Sequence, residues 1–435
     1  MRLGAGQQSA IVVSLVRLFT LYTRPYTGPY TRRCSDFHME HDTSARFNPY
    51  VHGARGLFCL MVFVYHVVHS GLPTIDLFAR GPLGEALQTG KFGVEFFFGI
   101  SGIVILPSLY RASSVATFML DRYARILPVL WTTVIAIASF RWLSEKGPSL
   151  LLVGANLLAP PPFIDIIQIN PAAWSLGYEF LFYGVCAVVF LISGTSRSLA
   201  LALAAGSLIF LVYYPRAILM IGGVLIAEKY LSSTLLQSLA KYPAIFFVLF
   251  LTVWRGLELG SATDYVAFAT PEYLSFHDWI FAFPFVILGG VFGTIFLLGV
   301  SCGNGWFGRM LRWRVMQWLG TISFSFYLWP PLVMAAVKLI MYRMGMVDAL
   351  GGGSQLFFFL VSLPPSLVVA AISHRFLEVK VTGRIRKRID RASKEKPVVR
   401  LINQGLDSAQ GGNLIGERSN VLDCSTSQRS KTIAS

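Results

Sequence analysis

Charged side chains are too scarce in this chain for most of it to face water. Only 14 % of its 435 residues are Asp, Glu, Lys or Arg, while 54 % are hydrophobic. A soluble domain carries about 25 % charged residues, because its surface must meet water. The solvent around most of this chain is therefore lipid, and its elements are apolar helices of about 20 residues each. The fold class that follows is an all-α polytopic membrane bundle.

From Gly56 onward, apolar stretches mark candidate spans at 56–72, 92–109, 126–143, 176–193, 198–214, 216–231, 243–257, 279–300, 316–341 and 356–374. The apolar stretch Leu150–Leu158, just before Pro160–Pro162, is too short to span and reads as interfacial or re-entrant. About ten spans place both termini on one side. The loop 110–125 carries Arg111, Arg122 and Arg125, and the loop 301–315 carries Arg309, Arg312 and Arg314. The segment after the last span opens with Arg375, Lys380, Arg384, Arg386, Lys387 and Arg388. The loop 258–278 is acidic, with Glu258, Asp264, Glu272 and Asp278. The positive-inside rule then puts both termini in the cytoplasm. The net charge of +15 is spent in this pattern, which argues against nucleic-acid binding.

Three regions follow. Residues 1–48 read as a basic N-terminal extension or a start-site artefact, 49–380 as the membrane domain, and 381–435 as a disordered basic cytoplasmic tail too polar to bury a core. Cys34, Cys59, Cys186, Cys302 and Cys424 form no CxxC pair, so neither a disulfide framework nor a metal site is expected. There is no P-loop, no dinucleotide motif and no long internal repeat.

An ionisable residue inside a span is a functional candidate by default. Arg55 and His66 are eleven residues apart, almost three whole turns, so they share a helix face roughly 16 Å apart along the axis. His69 stands beside His66, which is expected deep in the span and is suited to move a proton near neutral pH. Glu95 sits in the run Phe92–Ile100 and needs a partner, Arg55 or a histidine being the obvious candidates. Ser101-Gly102 is a small pair that permits close helix approach. Arg122 and Arg125 share a face if helical; their spacing suits either a phosphate-bearing ligand or lipid headgroups and topology. Trp174, Tyr178, Glu179 and Tyr183 enter another span from outside. Glu179 there suits a base, an orienter of a histidine or a partner of an arginine.

In order along the chain, these clusters resemble the acyltransferase 3 family of bacterial membrane O-acyltransferases, over roughly 47–380. The motifs are Arg55…His66; Gly93-Val94-Glu95-Phe96-Phe97 with Ser101-Gly102; Arg122, Arg125, Ile126 and Pro128; Trp174-Ser175-Leu176 with Glu179, Phe182 and Tyr183; Gly320, Ser323, Tyr327-Leu328-Trp329; and His374-Arg375 with Glu378. Pro330 stands where the family usually has His, and His52 where an Asp is common. No SGNH hydrolase-like domain is present, so the bundle works alone or with a partner protein.

The resemblance implies transfer of an acyl group, most often acetyl, from cytoplasmic acyl-CoA to a hydroxyl of an exported or surface glycan at the bacterial inner membrane. No permanently bound cofactor is implied; acetyl-CoA would be a substrate. His66 is then general base or transient acyl acceptor, with Arg55 and Glu95 orienting it. Arg122 and Arg125 would hold the donor, and His69, Ser101, Trp174, Glu179, Tyr183 and Tyr327 are further site candidates. A transporter or flippase of lipid-linked saccharides is the rival reading, against which stands the lack of an inverted repeat. An MBOAT-type acyltransferase, also reliant on a membrane histidine, is a third.

Overall fold

The computed structural model describes residues 48–75, 81–143, 147–158, 164, 166–193, 196–260 and 276–394. The extension expected over 1–48 lies almost wholly outside these residues. So do Pro160–Pro162, most of the acidic loop 258–278, and the tail beyond 394.

Among the described residues the chain is helical and contains no strand. The principal helices are α1 (Pro49–Val68), α2 (Gly93–Arg111), α3 (Val115–Trp142), α4 (Trp174–Ser193), α5 (Arg197–Tyr213) and α6 (Ile218–Ala227). They continue with α7 (Pro243–Gly260), α8 (Phe276–Cys302), α9 (Arg314–Leu328), α10 (Pro330–Arg343) and α11 (Ser354–Ser373). A π-helical segment, His374–Val381, follows α11. From Gly383 a separate unit begins, whose described part is basic helix through Lys394.

Among the described residues, six helical stretches are long and apolar enough to cross a membrane: Pro49–Val68, Pro82–Arg111, Val115–Trp142, Trp174–Ser193, Ala282–Cys302 and Met346–Ile389. The pair α9 and α10 makes a seventh if counted together. The expected single span 316–341 is thus two helices bent by 69°. Pro330 and Pro331 explain the break: proline has no N–H to donate and its ring clashes with the preceding turn. Asn170 Nδ2 donates to the Leu328 carbonyl at the bend, at 3.0 Å. The expected span 216–231 shortens to the ten residues of α6. At 1.5 Å per residue these cover about 15 Å, half of the hydrocarbon layer.

Helix boundaries follow local chemistry. Asn48 caps α1, accepting from the N–H groups of Tyr50 and Val51, with Pro49 at the first helical position. The helix ends at Val68 rather than 72: Gly71 turns the chain with φ +72°. Gln355 Nε2 donates to the last carbonyls, those of Val67 and Val68. Ser114 caps α3, whose first residue, Val115, lies eleven residues before the expected start at 126. The helix therefore takes in Asp121, Arg122 and Arg125, which were expected in a loop.

Two close helix crossings organise the bundle. α1 packs on α9 through Gly56 and Gly320: a Cβ at Gly56 would overlap the Met316 carbonyl and one at Gly320 the His52 carbonyl, while one at Gly53 would overlap the carbonyl of Leu311, in the short helix Gly305–Leu311 ahead of α9. α2 packs on α6 in the same way, with Gly102 against the Met220 carbonyl and Gly223 against that of Gly99. An aromatic core (Phe58, Phe96, Phe250, Trp254, Phe296) fills the space between α1, α2, α7 and α8.

Gly56→Leu is expected to force α1 from α9 and lower stability by at least about 1–3 kcal/mol. Gly184→Ala, in α4 with nothing within 4 Å of the new methyl, is expected to be neutral or slightly stabilising. Thermal unfolding of the purified protein in detergent checks both; equal effects at the two sites would refute the close crossing.

Candidate active site

A cavity of about 70 Å³, partly open to the outside, lies where α1, α2, α3, α4 and α9 converge. Its lining includes Arg55, Phe97, Ser101, Arg122, Arg125, Ser175, Glu179, Tyr183, Ser323 and Tyr327. Three guanidiniums therefore face one carboxylate in the lining.

The close α1–α9 crossing places Arg55 Nε 3.2 Å from Ser323 Oγ, to which it donates. The Arg55 guanidinium also lies 5.9 Å from the centroid of the Phe97 ring. Arg125, Glu179, Tyr183 and Glu378 are all within its electrostatic range. Because α3 begins at Val115, Arg122 and Arg125 are helical and three apart, so they project from one face. Asp121 is 3.5 Å from Arg122, a loose pair.

Glu179 is held from two sides. Ser101 Oγ donates to Oε1 at 2.9 Å, and Tyr183 Oη donates to Oε2 at 2.8 Å. The hydroxyls of Ser175 and Tyr327 share a hydrogen bond of 3.0 Å. Beneath α9, Glu378 accepts from Ser325 Oγ at 2.5 Å and from the Ser325 N–H at 3.2 Å, with His374 at 3.3 Å.

The structure separates some residues that the sequence reading grouped. Glu95 is paired neither with Arg55 nor with a histidine. Its partner is Arg216, whose Nε donates to Oε1 at 2.6 Å inside the bundle. The Arg216 guanidinium lies 4.3 Å from the centroid of the Trp174 ring. Neither Glu95 nor Trp174 lines the cavity. His66 is half-buried in the last turn of α1 rather than deep in the span, and it does not line the cavity either. The reason is the early end of α1 at Val68. His69, just past that end, donates from Nδ1 to the Tyr65 carbonyl at 3.1 Å and stacks near the Tyr65 ring.

Arg216 is the residue that sequence reasoning missed. The signal was present: an arginine inside an apolar run is a functional candidate by the same rule that flagged Glu95. It stands at the first position of the expected span 216–231 and was not singled out there.

Comparison with known proteins places the chain in a family. Residues 48–375 match the model of the acyltransferase 3 family, described as an acyltransferase domain. The chain belongs to that family. Over 151 residues it is 34 % identical to Acyltransferase MdmB of Streptomyces mycarofaciens, a match covering 31 % of this chain and 37 % of that protein. No solved structure matches.

Tyr183→Phe removes one of the two donors to Glu179 and is expected to lower stability by about 1–3 kcal/mol, since the carboxylate oxygen is left without a partner in the interior. Ser101→Ala is expected to act in the same direction. An unchanged thermal midpoint for both would mean that the hydroxyls do not hold Glu179.

Proposed function

Taking membership of the acyltransferase 3 family as the premise, we propose that this protein is a membrane O-acyltransferase. It moves an acyl group, acetyl in the simplest case, from cytoplasmic acyl-CoA to a hydroxyl of an exported or cell-surface glycan. The observation that carries this reading is the cavity lined by Arg55, Arg122 and Arg125. Guanidiniums are always charged and their planar forks match phosphate oxygens, so three of them around one space suit the phosphates of coenzyme A. Low-dielectric helix walls focus their field into the opening.

In this reading the arginine end of α1 faces the cytoplasm, both ends of the bundle lie inside, and the membrane is the bacterial inner membrane. His66 then stands toward the other side, about 16 Å further along α1. The pantetheine arm would span that distance and bring the thioester to the histidine. His66 takes the proton from the acceptor hydroxyl as its oxygen attacks the thioester carbonyl. The new C–O bond forms, the C–S bond breaks, and the leaving thiolate takes the proton from the imidazolium. The products are the ester and free coenzyme A. Glu179, fixed by Ser101 and Tyr183, positions the donor beside the arginines.

His66→Ala, in a stably inserted protein, is expected to lower acyl transfer in membranes by about 10²–10⁴-fold. Full activity would overturn the assignment. Arg122→Ala and Arg125→Ala are each expected to raise KM for acetyl-CoA about tenfold or more, from loss of a charge-assisted contact. A transporter of lipid-linked saccharides would consume no acyl-CoA at all, and measuring free coenzyme A release by the purified protein separates the two.

A further inference from the structure

α1 carries Arg55 toward its start and His66 in its last turn, so whatever fixes the far end of α1 also fixes the histidine. A helix end is weak by construction. Its last four carbonyls have no N–H further along the helix to accept from. Just past the end the chain turns at Gly71, with φ +72°, a residue without a side chain to hold the turn.

Two residues from other helices close this end. Gln355, buried at the start of α11, donates from Nε2 to the carbonyls of Val67 at 3.3 Å and Val68 at 2.8 Å. Its backbone N–H donates to the Pro73 carbonyl at 3.1 Å. Lys338 of α10 donates from Nζ to the Ser70 carbonyl. The segment 67–73 is thereby fastened to α10 and α11 by side chains and backbone together.

The choice of residues is informative. Lys338 stands between Val337 and Leu339 in an apolar helix, where an ammonium is costly and is a functional candidate by default. Here its charge meets the negative end of the α1 dipole. Gln355 likewise carries an amide into the interior, where an apolar side chain would cost less to bury. Apolar contacts are already present: Val67 lies in one cluster with Met334 and Met341 of α10 and Phe358 of α11. Such contacts are non-directional and set how closely helices lie. Hydrogen bonds to particular carbonyls add what they lack, a fixed rotation of the last turn about its axis. For a reacting group that matters, since a misplacement of about 1 Å can cost about 10²-fold in rate.

We propose that Gln355 and Lys338 are positioning residues for His66: by clasping the final carbonyls of α1 and of the turn after it, they fix the rotation of the last turn and so the direction of the imidazole. The proposal rests on the reading of His66 as the base, and both residues act only through α1.

The test uses the full-length protein in lipid nanodiscs. Gln355→Met keeps the side-chain length and loses the donor; Lys338→Met keeps the stem and loses the charge. Hydrogen exchange over 64–74 and over 50–60 is followed by mass spectrometry, and acetyl-CoA consumption is measured alongside. Each variant is expected to exchange about tenfold faster over 64–74, from the loss of a hydrogen bond, and at the wild-type rate over 50–60, where α9 holds α1. Its kcat is expected to fall about tenfold or more with KM for acetyl-CoA unchanged, because the cavity arginines are undisturbed. Lys338→Arg keeps a charged donor and is expected to retain most of the rate. The two substitutions lie on different helices, so one that fails to fold leaves the other to decide. Unchanged exchange over 64–74, or faster exchange with wild-type kcat, would overturn the proposal. Full activity of His66→Ala, with exchange still raised in the other two variants, would instead sink the reading of His66 as the base and leave the clasp on α1 standing.

Discussion

A charge carried into an apolar bundle must bring its partners with it, and the arrangement of this protein follows from that constraint. Water is absent from the interior, so an unpaired ion there is far more costly than at a surface. Among the described residues, three carboxylates within the bundle accordingly have donors from another helix or turn. Glu95 of α2 meets Arg216 of the turn before α6. Glu179 of α4 takes hydroxyls from α2 and from its own helix. Glu378 takes the Ser325 hydroxyl and backbone N–H of α9. These bonds tie together helices whose facing surfaces are otherwise apolar, and lipid supplies no hydrophobic drive to associate them.

Such bonds require backbones to approach closely, and the glycines make that possible. Gly56 and Gly320 let α1 and α9 meet without intervening side chains. Only at that separation does Arg55 Nε reach Ser323 Oγ at 3.2 Å. Gly102 and Gly223 do the same for α2 and α6, the two elements that flank the Glu95–Arg216 pair. Packing and site geometry are thus one problem: residues that read as spacers decide where the charges stand.

This explains what was legible in the sequence and what was not. The all-helical class followed from charge scarcity, and membership of the family from the ordered motifs. Arg55, Ser101, Arg122, Arg125, Glu179, Tyr183 and Tyr327 all line one cavity, although they come from five helices. Periodicity located the helices but not their ends: Asn48, Ser114 and Gly71, which set those ends, are single polar or flexible residues without a periodic signature. Partnership was less legible still. Arg55 or a histidine was the expected partner of Glu95, whereas its partner Arg216 is 121 residues away in a short turn. Pairing between distant segments depends on which helices touch, and a single sequence carries no direct record of that.

The separation of the two charged regions has a chemical logic. Were the three cavity arginines and the Glu95–Arg216 pair in one place, a phosphate-bearing donor would compete with Glu95 for the same guanidiniums. Arg216 is kept out of that competition by its bond to Glu95 and by the indole of Trp174, which leave it a short, directional donor rather than a free cation. The cavity arginines face a single lining carboxylate and retain a net positive field for an anion. Tyr327 and Ser175, hydrogen-bonded to each other, stand between the two regions: Tyr327 lines the cavity, and Ser175 directly follows Trp174. The same helices hold these two unlike charged regions apart.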